Sequence, residues 1–336
     1  MNAPAGAAGL PAGRNAGRNR VLRRLACVAA APVAGMFFLR AVPAEWPVTA
    51  VQLLAFLPWF TVPAAMAFLL ALPGGSRPLQ VLTAVLLGVQ VLWLFPPGVP
   101  ASDAAHARAP AVRVKVMTIN AELGGADAAG VVELVREQHV GLLAIEEYTP
   151  DLEDRLAVAG LTAVLPHQVS HPRGRAAGAA VYSSYPLTGA GLVPGTRFAM
   201  PIVTVNLGRG TLRVVAVHTL APVDDGLAQW RRDFAALGDA DPGSGPLLLA
   251  GDFNATLDHR EFRGLLADGR RPLVDVAAAS GNRLVPTWPM RGYHLPGVTL
   301  DHLVTGGGIH GSDYAAHRLA GTDHAAVTAT LDVPVP

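Results

Sequence analysis

The chain is poor in charge. Asp, Glu, Lys and Arg make up 15% of its 336 residues while 51% are hydrophobic, against roughly 25% charged in typical soluble domains, which implies that part of the chain lies in lipid. Cysteine is almost absent. With Cys27 alone, no intrachain disulfide can form, the fold must rest on its core, and cysteine usage says nothing about compartment. Acidic residues are scarce in the first third: residues 1–110 carry 8 basic against 2 acidic residues, and residues 111–336 carry 18 against 23. The overall +1 therefore hides two unlike halves, +6 and −5. Lysine is reduced to Lys115, and no internal repeat is visible.

What is present begins with residues 1–20, rich in Ala, Gly, Pro, Asn and Arg without periodicity, which read as a disordered basic tail. Arg14, Arg18, Arg20, Arg23 and Arg24 then precede the apolar run Leu25 to Leu39, a layout shared by signal peptides and first transmembrane helices. Two further uncharged runs, Val48 to Leu72 and Leu79 to Phe95, are each near the roughly 20 residues that cross a bilayer. Residues 21–96 thus read as an anchor of about three spans, at about 25–42, 48–72 and 79–95. The arginine-rich tail belongs in the cytoplasm, so three spans put the rest of the chain on the extracytoplasmic side of the plasma membrane; two would put it inside. Residues 97–110, rich in Pro and Ala, read as a linker that ends the anchor and opens a domain at 111–336.

From Ala111 onward the pattern is α/β. Strands are predicted at Val112–Ile119, Val140–Ile145, Leu161–Leu165, Ala179–Ser183, Ile202–Leu207, Leu212–Val217, Pro246–Ala250, Val298–Leu300 and Ala325–Leu331. Helices are predicted at Ala128–Gln138, Asp151–Ala159, Asp225–Leu237 and His259–Ala267. Residues capable of chemistry recur where strands end: Asn120, Glu147, His218, Asp252 with Asn254, Asp301, and Asp323 with His324. In a sheet sandwich the strand ends of one rim converge, so these residues can line one cleft. The stretch PLLLAGDFNA is the clearest case. Gly251 lets the backbone bend close to a ligand, and Asp252 and Asn254, two apart on an extended segment, point the same way.

In this order and with these neighbours, the motifs MTIN, AIEE, AVHT, GDFN with TLDHL, and TDHAAV resemble those of the endonuclease/exonuclease/phosphatase superfamily, across about Val112 to Leu331. The resemblance implies a four-layered sandwich of two mixed β-sheets flanked by helices. It also implies Mg²⁺-dependent attack of water on a phosphoester, with Mn²⁺ as a substitute. Carried over residue by residue, Glu147 holds the cation with Asn120 beside it, and Asp323 supports the metal or the turn at His324. Glu122 stands where some relatives carry a metal-binding aspartate, and Glu146 where the family often has glutamine. Asp252 matches the residue that orients or deprotonates the attacking water. Asn254 and His218 match donors to the non-bridging oxygens, and His324, fixed by Asp301, is the second histidine at the phosphate. His302 points away from Asp301 on an extended strand and reads as structural.

The partners that follow are membrane lipid, through the anchor, and a phosphodiester substrate: a phospholipid headgroup, a small phosphoester or nucleic acid. Protein partners are unknown. The −5 balance and single lysine disfavour a general DNA-degrading enzyme, because duplex affinity rests on Lys and Arg contacts. A tethered nuclease and an inactive, membrane-anchored binding module are the alternatives. The loop His167–Arg175 and the pair Trp288 and Tyr293 fit substrate contacts as well as solvation or packing.

Overall fold

A computed structural model describes residues 12–95, 110–267, 269–292 and 296–336. It divides into two compact units, one drawn from Met1–Ala44 and Phe56–Gly98, the other from Glu45–Ala55 and Val99–Pro336. The first holds α1 (Ala12–Ala41), a 3₁₀ turn at Leu57–Phe60, α3 (Thr61–Gly74) and α4 (Arg77–Leu94). Small side chains let these helices pack closely: Ala30, Val33, Ala64 and Ala67 meet Leu86. Three stretches are long and apolar enough to cross a membrane, Ala16–Ala41, Leu57–Gly74 and Arg77–Leu94.

Two expectations change here. Residues 12–20 of the basic tail are helical, and residues 1–11 lie outside the described residues, as do 96–109 of the expected linker. The expected span 48–72 breaks near its start. Val48–Ala55 is a separate helix, α2, that belongs to the second unit, and Pro58 sits in the turn that separates it from α3. Val51 of α2 is 2% exposed and joins a core cluster with Trp230 and Phe262. The backbone is tied down as well. The buried imidazole of His259 meets the Val51 carbonyl through Nε2 (2.9 Å), Arg231 Nη2 donates to the Trp46 carbonyl (3.0 Å), and Gln52 Nε2 donates to the Pro222 carbonyl (3.1 Å).

The remainder of the second unit has two six-stranded sheets. The first contains β1 (Ala111–Asn120), β2 (Leu142–Glu146), β3 (His167–His171), β4 (Ala179–Ser183), β11 (His310–Arg318) and β12 (Ala325–Pro334), in the order β11-β12-β1-β2-β4-β3. The second contains β5 (Leu187–Leu192), β6 (Pro201–Asn206), β7 (Thr211–His218), β8 (Leu247–Asp252), β9 (Val274–Asp275) and β10 (Asp301–Gly306), in the order β5-β6-β7-β8-β10-β9. Each sheet is mixed around one parallel pair, β1/β2 or β7/β8, joined by a helical crossover as parallel strands require. These crossovers are α5 (Ala128–Glu137) and α8 (Leu227–Ala240). Their apolar faces, with α6 (Pro150–Val158), α7 (Leu161–Val164) and α9 (Arg260–Ala267), form the outer layers. A last turn, α10 (Val276–Ala279), follows β9.

Side-chain alternation sets the layers. Val114 and Val116, Leu142 and Ala144, Val214 and Ala216, Leu248 and Ala250, and Leu303 fill the space between the sheets. Met117 and Ile119, Leu143 and Ile145, Val215 and Val217, and Leu247 and Leu249 face the helices. Leu161–Leu165, predicted as a strand, forms α7 instead, and the loop predicted from His167 starts with β3.

The α2 contact is directly testable. Val51→Ala should destabilise the second unit by about 1–2 kcal/mol, the cost of two buried methyl groups, read as a lower thermal midpoint of the full chain in detergent.

Candidate active site

Counting by twos along the inward face leads to the site. Asn120 continues Val114 and Val116, Glu146 continues Leu142 and Ala144, His218 continues Val214 and Ala216, and Asp252 continues Leu248 and Ala250. These residues end the two parallel pairs, where ligands bind in open sheets. The antiparallel neighbours begin at the same rim. Asp301 pairs with Asp252 in register, and His324 immediately precedes β12. The close approach of β7 to β8 depends on Gly251, because a Cβ there would collide with the Val217 carbonyl oxygen. The site is thus the polar end of the inter-sheet core. Asn120, Glu146, His218, Asp252, Asp301 and His324 are all buried.

Asp252 is the hub. Its Oδ2 accepts from Asn120 Nδ2 (3.0 Å) and Asn254 Nδ2 (3.3 Å), and its Oδ1 accepts from the Asn254 amide (2.8 Å). His324 Nε2 and His218 Nε2 stand 3.8 and 3.9 Å from that Oδ2. Asn120 Nδ2 also donates to Glu147 Oε1 (3.2 Å), which lies 3.8 Å from His218 Nε2. Glu147 follows its strand with φ 54°, a left-handed turn that departs from the strand's alternation, and its Oε2 accepts from the Leu123 amide (2.5 Å). Asn254, at φ 46°, also donates through Nδ2 to the Thr219 carbonyl (3.0 Å). Such backbone strain, about 1–3 kcal/mol per residue, concentrates at functional sites.

His324 and Asp301 form a buried dyad, with Nδ1 donating to Oδ2 at 2.9 Å. Burial alone would lower the imidazole pKa. The carboxylates of Asp301 and Asp252, the hydrogen bond to Asp301 and the charge of Asp323 outweigh it and push the value up to about 10. His218 goes the other way: burial, reinforced by the cationic His324, holds it below the usual histidine range and keeps it neutral. Burial raises Asp252 too. The two histidines and the Asn254 amide pull it back, Asp301 pushes it up, and it stays above the ordinary carboxylate range.

Three predicted residues sit differently from the rest. Glu122 gives only its backbone amide, to Asn120 Oδ1 (2.9 Å), and its carboxylate pairs with Arg291 (2.6 Å). Asp323 accepts from the Trp288 indole (2.9 Å) and has Oδ1 3.9 Å from His324 Nε2, so it stands beside the histidine. Asn120 turns its NH₂ to Glu147 and Asp252 and therefore acts as a donor between them. Tyr293 lies outside the described residues. His302 follows the outward parity: it packs on Phe253 and Phe262, and its Nε2 meets the Ala255 carbonyl (2.9 Å).

The site also holds groups that reasoning from the sequence passed over. Phe198 stacks on His218 at 4.5 Å between ring centres, although nothing in its sequence surroundings marks it. Thr118 Oγ1 donates to the Glu146 carboxyl (3.1 Å), and the inward parity of both residues was the available signal. Burial, then Asp301 and Asp252, raise the Glu146 pKa well above the carboxylate range, so it is a neutral acid. A neutral carboxyl pairs one donor group with one acceptor oxygen, as a glutamine carboxamide does at that position.

Asp252, Asp301 and His324 offer ligand atoms within 4.8 Å of one another. Asp301 spends its carboxylate on His324, and the carboxylates of Glu147 and Asp252 both accept from the Asn120 NH₂. A few carboxylates are what Mg²⁺ requires, since it keeps several waters. The donor set fits such an ion.

Residues 117–324 match the model of the Endonuclease/Exonuclease/phosphatase family, and the chain belongs to that family. Among solved structures it is similar to an endonuclease/exonuclease/phosphatase from Beutenbergia cavernae DSM 12333, at 17% identity and TM-score 0.52, covering 66% of this chain and 72% of that one. It is also similar to a humanized D. rerio TDP2 (13%, TM-score 0.54, covering 65% and 98%) and to an AP endonuclease from Archaeoglobus fulgidus (14%, 0.52, covering 64% and 98%). At these identities the likeness is one of fold. A comparison with curated proteins finds no match.

The neutral Glu146 carries a pH prediction. Its folded pKa lies above its unfolded one, so its contribution to stability is complete below the unfolded value and is lost as pH rises through the folded value. Glu146→Gln should keep the Thr118 contact without that loss. Thermal midpoints should show the variant gaining on wild type between pH 4 and pH 8, and a constant difference would contradict a neutral Glu146.

Proposed function

We propose that this chain is a membrane-anchored phosphodiesterase that uses Mg²⁺ and a His/Asp site to hydrolyse phosphodiester bonds with water. The observation that carries the reading is the environment of Asp252: a buried carboxylate of raised pKa, between a neutral and a cationic imidazole, with a second carboxylate across Asn120. In this reading Asp252 orients the attacking water and takes its proton, a step worth about 10²- to 10⁴-fold. His324 supplies positive charge and an N–H at the phosphate, Asp301 fixes its tautomer, and Asn254 and His218 donate to the oxygens on which charge builds. Glu147 would hold the cation, with Asp323 supporting the His324 turn. The bound ion supplies Lewis-acid stabilisation of the phosphoryl oxygens. Glu122, engaged with Arg291, takes no ligand role.

For the anchor, support comes from the three apolar stretches and from α2. Because Glu45–Ala55 and the sheets form one compact unit, both lie on one side of any membrane. The two candidate spans between them make an even number of crossings, as this requires. The arginine-rich N-terminus belongs in the cytoplasm, so a crossing by α1 puts the enzyme on the extracytoplasmic face of the plasma membrane. Nucleic acid is the second substrate class: a D. rerio TDP2 of this fold has been solved with a single strand DNA product.

This chain in detergent should hydrolyse bis(p-nitrophenyl) phosphate with Mg²⁺ and lose the activity in EDTA. Asp252→Ala should lower kcat by about 10²- to 10⁴-fold in a folded protein; a wild-type rate in that variant would remove the mechanism. Protease added to intact cells should cut the domain, and protection alongside a cleaved outer-face control would reverse the topology.

A further inference from the structure

The charge around the cleft is lopsided. No acidic residue occurs between Asp154 and Asp224, and that stretch supplies the loops beside His218. One is the β3–β4 loop, where the amide of Arg173 donates to the carbonyl of Tyr148, the residue after Glu147 (3.1 Å). A Cβ at Gly178 would collide with that same Tyr148 oxygen, so the loop lies tight against the metal-side strand end. The other loop, between β5 and β6, carries Phe198, the ring stacked on His218. The two loops are joined by a hydrogen bond from the Ala199 amide to the Ala177 carbonyl (3.0 Å).

Three arginines ride on these loops: Arg173, Arg175 and Arg197. All are exposed, and among the described residues their guanidinium groups have neither an ion-pair nor a hydrogen-bond partner. Arg175 is held at φ 61°, a left-handed conformation that a long side chain rarely adopts. Arg291, by contrast, is already paired with Glu122. The cleft floor is rich in carboxylates, whereas these two loops offer positive charge with no carboxylate partner among the described residues. Guanidinium forks match phosphate oxygens in geometry as well as charge.

The geometry points to a second phosphate subsite formed by Arg173, Arg175 and Arg197. The substrate class is then a phosphodiester that carries a further phosphate beyond the bond cleaved. This deepens the phosphodiesterase reading and rests on it for the position of the scissile group, but its test needs no turnover.

The test is equilibrium binding to the full chain in detergent, using two ligand pairs that differ by one phosphate. The first pair is thymidine 3′,5′-bisphosphate against thymidine 5′-monophosphate; the second is inositol 1,4-bisphosphate against inositol 1-phosphate. In at least one pair the bisphosphate should bind on the order of tenfold more tightly, the value of one charge-assisted hydrogen bond. The pair that responds separates a nucleotide source from a polyol headgroup. In the triple variant Arg173→Ala/Arg175→Ala/Arg197→Ala the preference should vanish, with circular dichroism reporting an intact fold; single variants replace it if the triple does not fold. Equal affinities within both pairs, or a preference that survives loss of the arginines, would overturn the subsite. Loss of hydrolysis would count against the phosphodiesterase reading alone.

Discussion

Three carboxyl groups, those of Glu146, Asp252 and Asp301, are buried together at one end of the inter-sheet layer, with two imidazoles as their buried neighbours. Water cannot screen them, so they cannot all be ionised at once. The resolution is a division of labour: Glu146 stays neutral, Asp301 takes the His324 imidazolium, and Asp252 is left ionisable but raised. The hydrogen bond between His324 and Asp301 is therefore the interaction on which the rest depends. Without it, Asp252 would keep its hydrogen bonds from Asn120 and Asn254 but lose the cation held beside it.

The two sheets are built alike. Each places a parallel pair at its centre with two antiparallel strands on either side, and each contributes half of the site. The first supplies Asn120, Glu147 and His324; the second supplies His218, Asp252 and Asp301. No repeat is visible in the letters because the symmetry lies in strand direction. Hydrophobic alternation enforces that pattern with many different residues.

Most strands that cross the core could be read from sequence, although β10 begins at Asp301, just past the predicted run Val298–Leu300. The apolar runs ending at Asn120, His218 and Asp252 announce their strands, and the polar residue closing each run announces the site. Edge strands could not. β11, HGSDYAAHR, is mostly half-exposed and paired on one side, so no apolar alternation was demanded of it. The helix α2 was hidden for the opposite reason. Its composition is that of a membrane span, and only the docking of Val51 beside Trp230 reassigns it. Phe198 was illegible because a stacking partner is chosen by shape across 19 residues of intervening chain.

The inward parity of the site residues constrains how the sequence can change. One extra residue within β1, β7 or β8 would turn the last side chain toward the helices, and a pair would restore it. Length upstream of the rim is therefore locked modulo two, whereas substitution among apolar residues there is tolerated. Beyond the rim the turns carry no such parity. Diversification of substrate choice in chains of this architecture is accordingly expected as loop growth after the site residues, with strand lengths held fixed.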